Sequence, residues 1–170
     1  MKPVKKLTFT SMMAALALVL LLAAGFLPTL SISLAVIAGF CVAASFLECG
    51  RAHAFLCYLT VSLLALLLVT DKMVSLSFAL VFGLYPIFKS FAEAQKSRVL
   101  EYVCKLAFCN VMLCALYFLF RLFTVEIWLP DVRFAIPVAM IALNLAFLIY
   151  DMAFTKLVTV YRHYRRRFKK

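Results

Sequence analysis

Residues 7–27 read LTFTSMMAALALVLLLAAGFL, preceded by Lys5-Lys6 and followed by Pro28. No charge interrupts these residues, and as a helix they span roughly 32 Å at 1.5 Å per residue. That length matches the hydrocarbon core of a bilayer. Pro28 has no N–H to donate, so it ends the run. One membrane-crossing helix at the start sets the terms on which the rest of the chain is read.

Further apolar runs follow at Leu30–Glu48, Ala54–Thr70, Met73–Phe88, Tyr102–Phe123 and Phe134–Phe154. Short polar breaks separate them: Glu48, Gly50, Arg51 and His53; then Asp71-Lys72; then Lys89 to Glu101; then Glu126, Pro130, Asp131 and Arg133. The third and fourth runs are short, and Lys72 and Lys89 can snorkel to the interface to cover the mismatch. The runs are continuously apolar, without the period-2 alternation of a membrane barrel. The fold class predicted is all-α: a polytopic membrane protein with six transmembrane helices in one bundle. Residues 1–157 form the membrane domain and 158–170 a basic juxtamembrane tail.

Composition agrees. Of 170 residues, 67% are hydrophobic and 15% charged, with a mean hydropathy of +1.08. A soluble domain is about half apolar and a quarter charged, so both a soluble globule and a disordered chain are excluded. Charge placement orients the bundle, because Lys and Arg collect on cytoplasmic sides. With six spans and both termini cytoplasmic, Lys72, Arg121 and Arg133 fall outside, and the remaining 15 of the 18 basic residues fall inside. Fusing the third and fourth runs would put the basic C-terminal end outside. Lys2, Lys5 and Lys6 ahead of an apolar run with Ala23-Ala24-Gly25 also have the order of a signal peptide; the six-span threading keeps the run as a helix.

The net charge of +11 does not point to nucleic acid. Six of the positive charges lie in the last nine residues, interleaved with Tyr164 and Phe168. Such a juxtamembrane segment attracts anionic lipid headgroups at about 1 kcal/mol per basic residue, and it also offers a docking surface to a cytoplasmic partner.

Catalytic chemistry finds little support. Cys41, Cys49, Cys57, Cys104, Cys109 and Cys114 contain no C-x-x-C pair. Cys104 and Cys109 lie about 140° apart around a helix, so one helix cannot offer both to one metal, and the thiols are expected to pack as small hydrophobes. The two histidines, His53 and His163, both fall at cytoplasmic edges. Neither H-E-x-x-H, G-x-S-x-G nor a Gly-rich phosphate loop occurs. The expectation is no enzymatic activity, no metal and no cofactor.

Polar groups inside apolar spans are costly and mark places to look for function. Asn110 lies near the middle of the fifth run. Pro137, Asn144 and Asp151 form one polar stripe along the sixth at seven-residue spacing. Buried asparagines commonly bond neighbouring helices; the alternative is contact with a solute. Asp151 is expected to pair with Lys156 or Lys105. Glu101 and Lys105 stand i,i+4 in the favourable order. Gly83 and Pro86 predict a kink late in the fourth run. On the external side, Arg121, Glu126, Trp128, Asp131 and Arg133 form either an interfacial belt or the rim of an outward cavity. Such a cavity would be lined by Ser75, Ser77, Asn110 and Asn144, with Arg121 at its mouth.

The basic start Lys5-Lys6-Leu7-Thr8, the Ala-rich helix Met13-Ala14-Ala15-Leu16-Ala17, six spans, small size and a basic cytoplasmic end resemble the substrate-binding S components of energy-coupling factor transporters. The resemblance is one of build, and carries no diagnostic ligand motif. It implies binding of a vitamin-like or other small nutrient in the plasma membrane, energised by partner ABC-type ATPases through a transmembrane coupling subunit. The small residues Ser11 and Ala15, with Ala14 beside them, would then face that subunit. A membrane scaffold that assembles a larger complex through its basic tail and the Lys89–Glu101 loop is the competing expectation.

Overall fold

The computed structural model describes residues 3–27, 29–94, 98–123 and 135–168; side chains at 98, 120–123, 135–139, 162 and 164–168 fall outside the description. The described residues are 92% helical, with no strand among them. Six helical segments are long and apolar enough to cross a membrane. The chain divides into two units, Met1–Val125 and Glu126–Lys170.

The first unit is built on α1 (Pro3–Phe26), α2 (Ser31–Cys49) and α3 (Arg51–Leu68). Their facing residues are small. Ala17, Leu21 and Ala24 of α1 meet Ala35, Ala38, Cys41 and Val42 of α2 and Cys57, Val61 and Ala65 of α3 in one buried cluster. These recur at three- and four-residue intervals, so each helix turns one stripe inward. Large side chains face out instead, among them Leu16, Val19, Ile32, Leu63 and Leu67. In lipid, helices gain nothing by hiding leucine, and close van der Waals packing through small residues holds them together.

The connections are short, and each has a local cause. Gly50 alone joins α2 to α3 with φ 95° and ψ 179°, a backbone state essentially confined to glycine. Between α3 and α4 (Lys72–Ser77), Asp71 accepts the Met73 N–H at 2.8 Å and caps the new helix. Lys72 Nζ donates to the carbonyls of Leu66 at 2.8 Å and Val69 at 3.1 Å, satisfying the end of α3 where the helix dipole favours a cation.

The fourth membrane segment, Lys72–Ala92, is not one continuous α-helix. After α4 the chain makes a π turn at Phe78–Phe82 and then enters α5 (Tyr85–Ala92). The break anticipated from Gly83 and Pro86 is present, and it begins a turn earlier, at Phe78. α6 (Arg98–Phe123) completes the unit and packs on the π turn, α4 and α5.

The second unit contains α7 (Ala135–Phe168), whose 34 residues reach about 51 Å. Its membrane-crossing window is Met140–Tyr161. The basic segment after residue 157 therefore continues the same helix as far as Phe168.

Candidate functional site

The chemistry-bearing side chains of the first unit gather around the broken fourth segment. Gly83 N–H reaches back five residues to Phe78 O at 2.7 Å, the hydrogen bond that defines a π turn. Its ordinary acceptor, Ala79 O, receives the Tyr58 hydroxyl from α3 at 2.9 Å. Pro86 has no N–H for Phe82 O. The α2 backbone comes against that carbonyl at Gly39, where a Cβ would lie 2.7 Å from the oxygen.

Below the break, α5 and α6 carry a cluster of charge. Lys89 Nζ lies 3.1 Å from Glu93 Oε1; Lys105 Nζ lies 2.6 Å from Glu101 Oε1 and 3.9 Å from Glu93 Oε1. Both lysine side chains are buried, at 5% and 3% exposure, whereas Glu93 and Glu101 keep 43% and 23%. The carboxylates thus bring a partner to two cations that have left water, which burial otherwise penalises heavily. Aromatic rings complete the surround. Phe88 stacks on Phe108 with centroids 4.2 Å apart, Tyr85 tilts against Phe108, and the Lys89 and Lys105 ammonium groups lie 5.7 Å from the Tyr85 and Tyr102 rings. At the α3 end, Arg51 sits 4.8 Å over Phe91.

The residues singled out as solute contacts are placed variously. Ser75 is buried on α4, its hydroxyl 3.1 Å from both Ala65 O and Asp71 O. Ser77 is half-buried on the same helix. Asn110 is half-buried on α6, which adjoins α4, and its Nδ2 donates to Leu106 O at 2.9 Å. In the second unit Asn144 Nδ2 donates to Met140 O at 2.9 Å. Both asparagines satisfy part of their amide one turn back on their own helix. The side chain of Arg121 and residues Glu126, Trp128, Asp131 and Arg133 lie outside the described residues. Ser11 and Ala15 are exposed on α1, whereas Ala14 packs against the α1–α2–α3 core.

The Glu101–Lys105 pair expected from spacing is present. The Asp151 carbonyl of α7 accepts the Thr155 hydroxyl at 2.8 Å. All six cysteines are free, and Cys49 Sγ donates to Lys6 O at 3.4 Å, joining the end of α2 to the start of α1. Among the described residues, no three His, Cys, Asp or Glu side chains gather as a metal set.

Reasoning from sequence missed Tyr58, Gly39 and the bridging role of Glu93. Lys89 and Glu93 stand four apart, so their pairing was legible as an i,i+4 spacing. Nothing local marks Tyr58 or Gly39, whose roles arise from the packing of α3 and α2 on the π turn. No protein family, curated protein or solved structure matches this chain.

Proposed function

We propose that this protein is the small-solute-binding membrane subunit of an energy-coupling factor transporter. In this reading it lies in the plasma membrane with both termini cytoplasmic, has no enzymatic activity of its own, and is energised by partner ATPases through a coupling subunit. The solute is a vitamin-like or other small nutrient. Ser77 and Asn110, both half-buried, are its polar contacts in the first unit, whereas Ser75 is fully buried with its hydroxyl on backbone carbonyls. The basic end of α7 rests on anionic lipid headgroups.

The observation that supports this reading is the outward face of α1. Ser11 and Ala15 are exposed, one turn apart, between Leu7, Met12, Leu16 and Val19, while Ala17, Leu21 and Ala24 turn inward. Lipid asks nothing of a helix face beyond apolarity, whereas small side chains at i,i+4 let a second helix approach closely.

The test is recovery of the tagged full chain from its native membrane, with mass spectrometry for ABC-type ATPases and a coupling subunit. Ala15→Trp is expected to lose these partners while the subunit keeps its thermal stability. A destabilised subunit, an unaffected complex, or wild type recovered without ATPases would overturn the reading in favour of a scaffold.

A further inference from the structure

α7 runs unbroken from Ala135 to Phe168, and neither glycine nor proline follows Pro137. At 1.5 Å per residue its 34 residues reach about 51 Å, more than a whole bilayer of about 40–45 Å with its headgroups. A tilt of about 30° brings such a helix within the bilayer, inside the range that spans adopt. Where a tilted helix leaves the membrane, its underside turns to the hydrocarbon and its upper side to the headgroups.

The cytoplasmic end of α7 divides in that way. At about 100° per residue, Leu157, Val160, Tyr161, Tyr164 and Phe168 fall in one arc of about 100°. Lys156, Arg162, Arg165, Arg166 and Arg167 all fall outside it. Leu157, Val160 and Tyr161 are exposed and lie within the membrane-crossing window, so the stripe starts where lipid covers it and continues outward along the same helix. An upright helix meets headgroups evenly around its circumference and draws nothing from such a division. Apolar and aromatic residues on one face, with basic residues on the other, suit a helix lying in an interface that carries negative charge.

We propose that the cytoplasmic end of α7 is a binding surface for anionic phospholipid, and that this lipid sets the tilt of the sixth span. The stripe of Leu157, Tyr161, Tyr164 and Phe168 sinks into the acyl boundary, and the arginines outside it take the headgroup phosphates. Where the leaflet lacks anionic lipid, the arginines lose those partners and α7 stands more upright. The inference deepens the proposed function at its membrane contact and takes from it only the cytoplasmic placing of the C-terminus; no solute or coupling subunit enters.

The test is tryptophan depth in nanodiscs, read by quenching with brominated acyl chains and with aqueous iodide. Trp128 is the one native tryptophan, so the full chain carrying Trp128→Phe is the parent. In an upright helix position 164 lies about 1.5 Å nearer water than position 163. With the stripe down, that order reverses. In phosphatidylglycerol nanodiscs Tyr164→Trp is expected to be deeper than His163→Trp, and in phosphatidylcholine alone the upright order should return. Arg162→Gln with Arg166→Gln should weaken the preference for the anionic leaflet about 25-fold, about fivefold for each cation removed. Thr159→Trp and Val160→Trp make the same comparison one turn earlier, should the first pair disturb the helix. The proposal is overturned if position 164 is no deeper than 163 with anionic lipid, or if the order is the same in both lipids. It is equally overturned if 164 is shielded from bromine and iodide alike, as a partner protein would shield it. Both faces of a nanodisc carry the same lipid, so the outcome is independent of the threading and of any ATPase.

Discussion

Replacing Gly39 by alanine adds one methyl group where the α2 backbone lies against the carbonyl of Phe82. The new Cβ would lie 2.7 Å from Phe82 O and 3.3 Å from Phe82 C. Ordinary carbon–oxygen contacts begin near 3.3 Å, so α2 and the π turn must separate by about 0.6 Å. The obstacle is backbone, and that backbone is pinned by the Tyr58–Ala79 and Gly83–Phe78 hydrogen bonds. No flexible side chain can swing away, which places the change among overpacking substitutions costing about 1–3 kcal/mol. Alanine also favours a helix over glycine by about 1 kcal/mol, which masks part of the loss. Gly25→Ala supplies the reference. Its Cβ first meets Val69 Cγ1 at 3.4 Å, an ordinary contact, and it also sits in a helix. The propensity gain largely cancels between the two variants, so Gly39→Ala should be less stable than Gly25→Ala by the clash alone, about 1–3 kcal/mol. Reversible unfolding of both variants in mixed micelles, titrated with a denaturing detergent, measures the difference. Equal stability, or a more stable Gly39→Ala, would refute the close approach of α2 to Phe82.

Within the charged cluster, Glu101→Met should destabilise more than Lys105→Met. Removing the acid takes the 2.6 Å partner from a lysine of 3% exposure and leaves the longer contact with Glu93 at 3.9 Å, whereas removing the lysine frees a carboxylate of 23% exposure that water can reach, and a weakly compensated buried charge is the larger penalty; the same unfolding titration ranks the two. Asp71→Ala removes the acceptor for Met73 N–H and should cost about 1 kcal/mol, as lost caps do, with Asp71→Asn retaining most of it. A cysteine replacing Lys72, in a background lacking the native cysteines, should react with an impermeant thiol reagent only from outside the cell. Reaction only from the cytoplasmic side would reverse the threading.

Much of the architecture could be read from the chain because it is local chemistry in a demanding solvent. Six apolar runs must be helical where no water satisfies the backbone. Asp71-Lys72 and Gly50 end helices by local chemistry, and Glu101 and Lys105 meet because helical spacing brings them together. The same locality hides the rest. Apolarity is so general here that it cannot say which face of a helix is inward: Leu16 and Leu21 look alike in sequence, yet one is exposed and the other buried. The seam follows small residues, and which small residues form it depends on the partner helix. Ala14 packs inward and Ala15 does not, though they are neighbours. The break of the fourth segment was foreshadowed by Gly83 and Pro86, but its form was not. A π turn needs a donor for the carbonyl it opens and room for the carbonyl it displaces. Tyr58, 21 residues upstream of Ala79, provides the first, and Gly39, far earlier in the chain, provides the second. Lys89 and Lys105 likewise share Glu93 only because α5 and α6 pack side by side. Contacts within one turn follow from helical periodicity alone, whereas contacts between turns distant in the chain exist only once the helices have chosen which faces to join.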